Sequence, residues 1–213
     1  TPMSIMVGLG RGAGAGVLIK NAEALERLEQ VDAVVVDKTG TLTEGRPQVA
    51  SIVAVDGWDE DQILRLAASL ERASEHPLAG AILAAAEEAK LSLEEPAEFR
   101  SFAGHGITGR IAGHYAALGN AHLFEQQEIS LGDLTGMAEP LRRDGSTVVF
   151  VSVDRRPAGL LAVSDPIKPS TAEVVRQLQS EGLRIVMVTG DNRTSAEAVG
   201  RRLARVDPGL QRR

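Results

Sequence analysis

The residues best suited to chemistry fall in one stretch, Val34-Val35-Val36-Asp37-Lys38-Thr39-Gly40-Thr41-Leu42-Thr43. The apolar, β-branched run has the pattern of a strand buried on both faces. It ends abruptly on a carboxylate and a polar turn. In an open parallel sheet, ligands bind outside the carboxyl ends of strands, which places Asp37 at a sheet rim, in a crevice. Gly40 permits a sharp turn and a close approach of ligand to backbone. Thr39, Thr41 and Thr43 carry hydroxyls, and the turn offers amide donors of the kind that suit a phosphate. A carboxylate repels a phosphate unless a cation lies between them, and Mg²⁺ with its oxygen ligands fits that role. An aspartate so placed can act as a nucleophile and become an aspartyl-phosphate. Asp, Thr and Gly are also ordinary turn residues, so a strand that merely ends in a turn is the competing reading.

Other stretches carry weaker signals of the same kind. Glu71 stands three residues before Ser74-Glu75-His76-Pro77, which contains His76. An imidazole on a loop that leads into a helix can stack on an adenine, and a nearby carboxylate can accept from its amino group. By themselves, a lone His and Glu are more often ordinary surface residues. Gly104-His105-Gly106 lies between two expected strands, where glycines let a ligand press on the backbone or simply form a hairpin turn. Thr189-Gly190-Asp191 follows a second apolar run and repeats the arrangement at Asp37. Two such strand ends side by side bring both carboxylates to one crevice. The glycine run from Gly8 to Gly16 lacks the preceding strand that a dinucleotide loop needs, so it reads as a small-residue connection. His105, His114 and His122 show no metal-site spacing and read as surface residues.

The elements that position these residues follow from periodicity. Asn21 caps a short helix to Gln30, with Ala22, Leu25 and Leu28 on one face. A strand covers 47–55. Asp59 caps a helix through Arg72, and a second helix runs from Pro77, at its first turn, to about Lys90. Short runs at 98–103, 106–112, 114–118, 147–153 and 158–163, divided by Gly, Asp or Pro, read as strands, with helices at 121–127 and 134–143 between them. Gly113 is a tight turn. Ser170 caps a helix through Ser180, Gly182 ends it, and Arg184–Val188 is a buried strand followed by a helix to about Leu203.

Composition sets the bounds. The chain has 213 residues, enough for one large or two modest domains. It is 43% hydrophobic but 3% aromatic, so its core is built from Ala, Val, Leu and Ile. A net charge of −6 argues against a nucleic-acid surface. With no cysteine there is neither a disulfide framework nor a thiolate metal site. The apolar runs are shorter than the roughly 20 residues that span a bilayer, and no signal peptide is visible.

The string Asp37-Lys38-Thr39-Gly40-Thr41-Leu42-Thr43 resembles the phosphorylation signature of the P-type ATPases. Residues 1–26, running into that signature, resemble the heavy-metal-transporting branch, the copper(I) type most closely. Ser74-Glu75-His76-Pro77, Gly104-His105-Gly106 and Thr189-Gly190-Asp191 resemble, in order, the family's SEHP, GxG and TGD signatures. Asp165-Pro166-Ile167-Lys168 resembles its DPxK element. The resemblance implies ATP and Mg²⁺ as cofactors. It implies Asp37, Lys38 and Thr39 as catalytic residues, with Mg²⁺ at Asp37 and Thr39. It implies Glu71, His76, Gly104, Gly106, Gly119 and Asn120 as nucleotide-binding, and Thr189, Gly190, Asp191, Asp165 and Lys168 as phosphate or hinge residues. It also implies a place on the cytoplasmic face of a membrane, and transport of a metal ion, copper by this likeness, through membrane domains outside the chain.

The expected fold is α/β. A Rossmann-like, haloacid-dehalogenase-type phosphorylation domain, 1–46 and 165–213, is split by an α+β nucleotide-binding domain with an antiparallel sheet, 47–164. The family's later GDGxND motif, whose first aspartate binds Mg²⁺, is missing. The phosphorylation domain is therefore expected to be truncated, with an exposed apolar sheet edge and weak turnover. Two alternatives stay open: a nucleotide-binding module without turnover, and a haloacid-dehalogenase-type phosphatase. Phosphatases of that type carry a second aspartate two residues after the nucleophile. Thr39 stands there, which favours a longer-lived phospho-aspartate.

Overall fold

The computed structural model describes residues 2–189 and 193–206. Two sheets organise it. A two-stranded parallel sheet pairs β1 (Ala33–Asp37) with β8 (Arg184–Val188), in a register that sets Asp37 opposite Val188. A six-stranded antiparallel sheet has the order β2-β7-β6-β5-β4-β3. Its strands are β2 (Gln48–Ala54), β3 (Ala97–Phe102), β4 (Gly106–Ile111), β5 (His114–Gly119), β6 (Thr147–Val153) and β7 (Arg156–Ser164).

The antiparallel sheet is covered on both faces, which explains why β6 and β7 are nearly unbroken apolar runs. Successive side chains on a strand point to opposite faces. Val151 and Leu161 pack with Ile63, Leu70 and Ile82 of α3 (Glu60–Glu71) and α4 (Ala79–Glu88). Their neighbours Phe150 and Leu160 pack with Phe124 and Leu134 of α5 (Ala121–Gln126) and α6 (Leu134–Arg143). The two phenylalanines meet edge to face at 6.0 Å. A third, smaller core joins Leu42 to Val199 and Leu203 of α8 (Arg193–Val206), with Val36, Ile167 and Met187 against it.

Most of the expected boundaries hold. Asn21 caps α2 (Ala22–Glu29) by accepting from the Ala24 amide at 2.8 Å. Asp59 caps α3 through a full capping box with Gln62. Gly182, with φ of 83°, ends α7 (Thr171–Ser180).

Four local expectations are corrected. The glycine run is not a connection: α1 (Pro2–Gly14) continues through most of it, because Gly8 and Gly12 let Leu25 and Ile19 close to within 3.0–3.2 Å of where a Cβ would stand. Pro77 precedes α4 rather than opening it. Ser170 stands at the start of α7 in the helical region, where its side chain makes no capping bond. Finally, β1 is not buried on both faces: Val35 is 64% exposed, and Val186 and Val188 of β8 are also exposed.

Candidate functional site

Asp37 is exposed at the carboxyl end of β1. The chain then turns within residues 38–42, closed by the Thr43 amide donating to the Lys38 carbonyl at 3.1 Å. Gly40 holds φ of 75° there with open space around its missing side chain, so backbone conformation rather than crowding calls for glycine. Thr39 and Thr41 are exposed, while Lys38 is buried.

The turn is braced from the returning chain. The Thr43 hydroxyl, fully buried, lies 2.6 Å from Asp165 Oδ2. Asp165 Oδ1 accepts the Gly45 and Arg46 amides at 2.9 and 3.1 Å. Lys168 Nζ donates to the Gly40 carbonyl at 2.5 Å, and the Thr171 hydroxyl donates to the Leu42 carbonyl at 2.7 Å. Thr43 therefore spends its hydroxyl inside the protein rather than offering it to a ligand. Asp165 and Lys168 likewise act on the loop. Thr189 follows β8 directly, beside this turn. Gly190 and Asp191 lie outside the described residues.

A second group forms around a cavity of about 520 Å³. Glu71, His76, Gly104, Gly106, Gly119 and Asn120 all line it. Glu71 ends α3 and is 5% exposed. Burial pushes its carboxyl above the usual carboxylate range, opposed in part by the Ser74 hydroxyl and His76. Its Oε2 is buried with no protein partner. His76 Nδ1 accepts from the Leu78 amide at 3.2 Å, which sets the Nε2–H tautomer of the neutral ring.

The glycines have reasons of their own. A Cβ on Gly106 would stand 2.2 Å from the Leu118 carbonyl oxygen, and one on Gly119 would stand 2.3 Å from that of His105. The two backbones face each other as register partners in β4 and β5. Asn120 also works internally: Nδ2 donates to the Gly104 carbonyl at 2.9 Å and Oδ1 accepts from the Leu123 amide, capping α5.

Sequence reasoning missed some of the wall. His105, read as a surface residue, is half-buried, lines the cavity and lies against His122, with ring centroids 4.6 Å apart and the rings tilted by 55°. His114 and His122 are exposed as expected, paired with Asp154 at 2.7 Å and Glu125 at 3.2 Å. Arg142, Ser146 and Arg202 line a second cavity of about 500 Å³, together with Lys38, Thr39 and Asp165. The two cavities share Leu78, Asn120, Thr147 and Val148 as walls. No sequence signal marks Arg142 or Arg202, because adjacency of distant segments alone brings them here.

Residues 31–208 match the haloacid dehalogenase-like hydrolase family. The chain belongs to that family. It is 53% identical to a copper-exporting P-type ATPase of Legionella pneumophila over 199 residues, 93% of this chain and 27% of that protein. It is 47% identical to a silver exporting P-type ATPase of Salmonella typhimurium over 203 residues, 95% of this chain and 25% of that protein. The chain thus spans about a quarter of the length of these relatives. Its structure superposes on a crystal structure of a zinc-transporting PIB-type ATPase in the E2.Pi state with a TM-score of 0.86 and 34% identity, covering 99% of this chain and 33% of that one. Likeness extends to the catalytic domain of the CPx-ATPase CopB-B, solved in a study of nucleotide binding, with a TM-score of 0.62, 25% identity and 92% and 67% coverage. The α/β architecture with a six-stranded antiparallel sheet is that of these catalytic domains.

Proposed function

We propose that this chain is the ATP-binding and phosphoryl-accepting part of a copper-type, heavy-metal-transporting P-type ATPase, acting on the cytoplasmic face of a membrane. Residues 47–164 form the nucleotide-binding domain, and 1–46 with 165–213 the phosphorylation domain. Among the described residues no helix is long and apolar enough to cross a membrane, so the transport path belongs to other parts of such a protein. The observation that carries the reading is the shared wall of the two cavities. It links Glu71 and His76 at one end to Lys38 and Thr39, beside Asp37, at the other.

The base sits in the first cavity. His76 lies against its ring, and the unpartnered Glu71 Oε2 accepts from its amino group. Gly104, Gly106, Gly119 and Asn120 form the wall. The phosphates run past Thr147 into the second cavity. An Asp37 oxygen attacks the γ-phosphorus, the new O–P bond forms an acyl phosphate, and the bond to the departing ADP oxygen breaks. Lys38, buried at the turn, supplies positive charge nearby. Asp165 and Lys168 keep the turn rigid, so that Asp37 holds its line of attack. Thr189, Gly190 and Asp191 complete the phosphate end.

The exposed oxygens of Asp37 and Thr39 are hard donors that suit Mg²⁺. An ion held there would draw on water and phosphate for the rest of its shell. When bound there it neutralises phosphate charge.

Calorimetric titration with ATP tests the base site. His76→Ala is expected to weaken binding by about 1 kcal/mol, the scale of one stacked ring contact, with unchanged circular dichroism. Wild-type affinity in both His76→Ala and Glu71→Ala would place the site elsewhere.

A further inference from the structure

We infer that Arg142 grips the phosphate chain of the nucleotide and makes the site favour ATP over adenosine, an assignment that rests on the ATP-binding reading above. Any ligand with its base beside Glu71 and its terminal phosphate at Asp37 must cross the second cavity. The cations in that cavity's wall are Lys38, Arg142 and Arg202, and its carboxylates are Asp144 and Asp165.

Most of these charges are already committed. Asp165 is saturated by Thr43, Gly45 and Arg46. Arg202 is paired with Asp144 at 2.7 Å, and its neighbour Arg201 donates to the Arg143 carbonyl, so α8 is clasped to the end of α6. Lys38 is buried at the turn.

Arg142 is paired as well, from Nη1 to Glu139 at 3.0 Å, but that carboxylate is not among the cavity's lining residues, whereas the partner of Arg202, Asp144, is. Of its five N–H donors this is the one engaged among the described residues. The group lies 5.4 Å from the centroid of the Phe150 ring, and Phe150 itself is fully buried. An aromatic face below and a carboxylate at one nitrogen hold the plane of the guanidinium in place while leaving its other donors available. A planar, pre-oriented fork is the donor that suits a phosphate.

An arginine in the last turn of a helix also steadies the helix dipole. That role would make no distinction among nucleotides, so the ligand series separates the two. ATP, ADP and adenosine are titrated into the unaltered chain, Arg142→Gln and Arg142→Lys, at low and high salt. Arg142→Gln is expected to weaken ATP about tenfold or more, the loss of one charge-assisted contact, to weaken ADP less, and to leave adenosine within about twofold. Its ATP affinity is expected to depend less on salt than that of the unaltered chain. Arg142→Lys is expected to recover part of the loss, since it keeps the charge without the fork. Equal losses for ATP and adenosine, or no loss for ATP, would overturn the assignment while leaving ATP binding in place. Failure of the unaltered chain to bind ATP would overturn both.

Discussion

The Thr43 hydroxyl and the Asp165 carboxylate meet at 2.6 Å although 122 positions separate them in the chain. The contact ties the loop after Asp37 to the point where the chain comes back from the antiparallel sheet. A short bridge between Thr43 and Ile167 runs beside it. The segment that follows Asp37 is thus held from both sides of the chain that forms the antiparallel sheet.

Removing the brace tests this. Asp165→Ala leaves the Gly45 and Arg46 amides without their acceptor and passes the Thr43 hydroxyl to the Lys38 carbonyl, 3.1 Å away, and is expected to cost about 1–2 kcal/mol locally. Hydrogen exchange is expected to accelerate at the Gly45 and Arg46 amides. The two cores of the six-stranded sheet lie apart from this loop, so exchange in β4 to β6 is expected to stay unchanged.

Glu71 gives a dependence on pH. Its folded carboxyl titrates above the ordinary value of 4.5 because burial disfavours the charge. The sign follows from linkage: its contribution is fully present below 4.5 and is lost as pH rises through the raised folded value. At neutral pH the buried carboxylate is therefore a burden on the fold. Glu71→Gln is expected to melt higher than the unaltered chain at neutral pH, with the difference closing at about pH 4 and below. It is also expected to bind ATP more weakly, since an amide is a poorer acceptor for the amino group. Melting curves across pH, with calorimetry at neutral pH, check both.

The glycines separate packing from turn geometry. Gly106→Ala and Gly119→Ala each drive a Cβ into backbone at 2.2–2.3 Å. Such overpacking is expected to cost about 3 kcal/mol or more. Gly104 has φ of 73° but open space about it, so Gly104→Ala is expected to cost only about 1–2 kcal/mol of backbone strain. Urea denaturation of the three variants gives the ranking.

Much of this is legible in the sequence. The strands from β2 to β7 are short runs divided by Gly, Asp or Pro, and Asn21 and Asp59 cap by chemistry local to them. The helical state of Gly8, Gly10 and Gly12 is not legible. Each glycine disfavours a helix by about 1 kcal/mol, and at Gly8 and Gly12 tertiary closeness to Leu25 and Ile19 overrides that preference. Exposure of Val35 is equally hidden, because a β-branched run reads the same whether one face or two are covered. The motif residues around Glu71 and His76 could be named from their order. Arg142 could not, since an arginine late in an amphipathic helix looks like any solvated residue until Phe150 and the second cavity are placed beside it.

The most direct test of the central claim is acid trapping of the chain after brief exposure to γ-phosphate-labelled ATP and Mg²⁺. Label is expected on the protein, released by hydroxylamine as an acyl phosphate must be, and absent in Asp37→Asn. That variant is expected to bind ATP at least as tightly as the unaltered chain, because the carboxylate no longer repels the γ-phosphate. Label that survives in Asp37→Asn, or no hydroxylamine-sensitive label in the unaltered chain, would contradict phosphoryl transfer to Asp37.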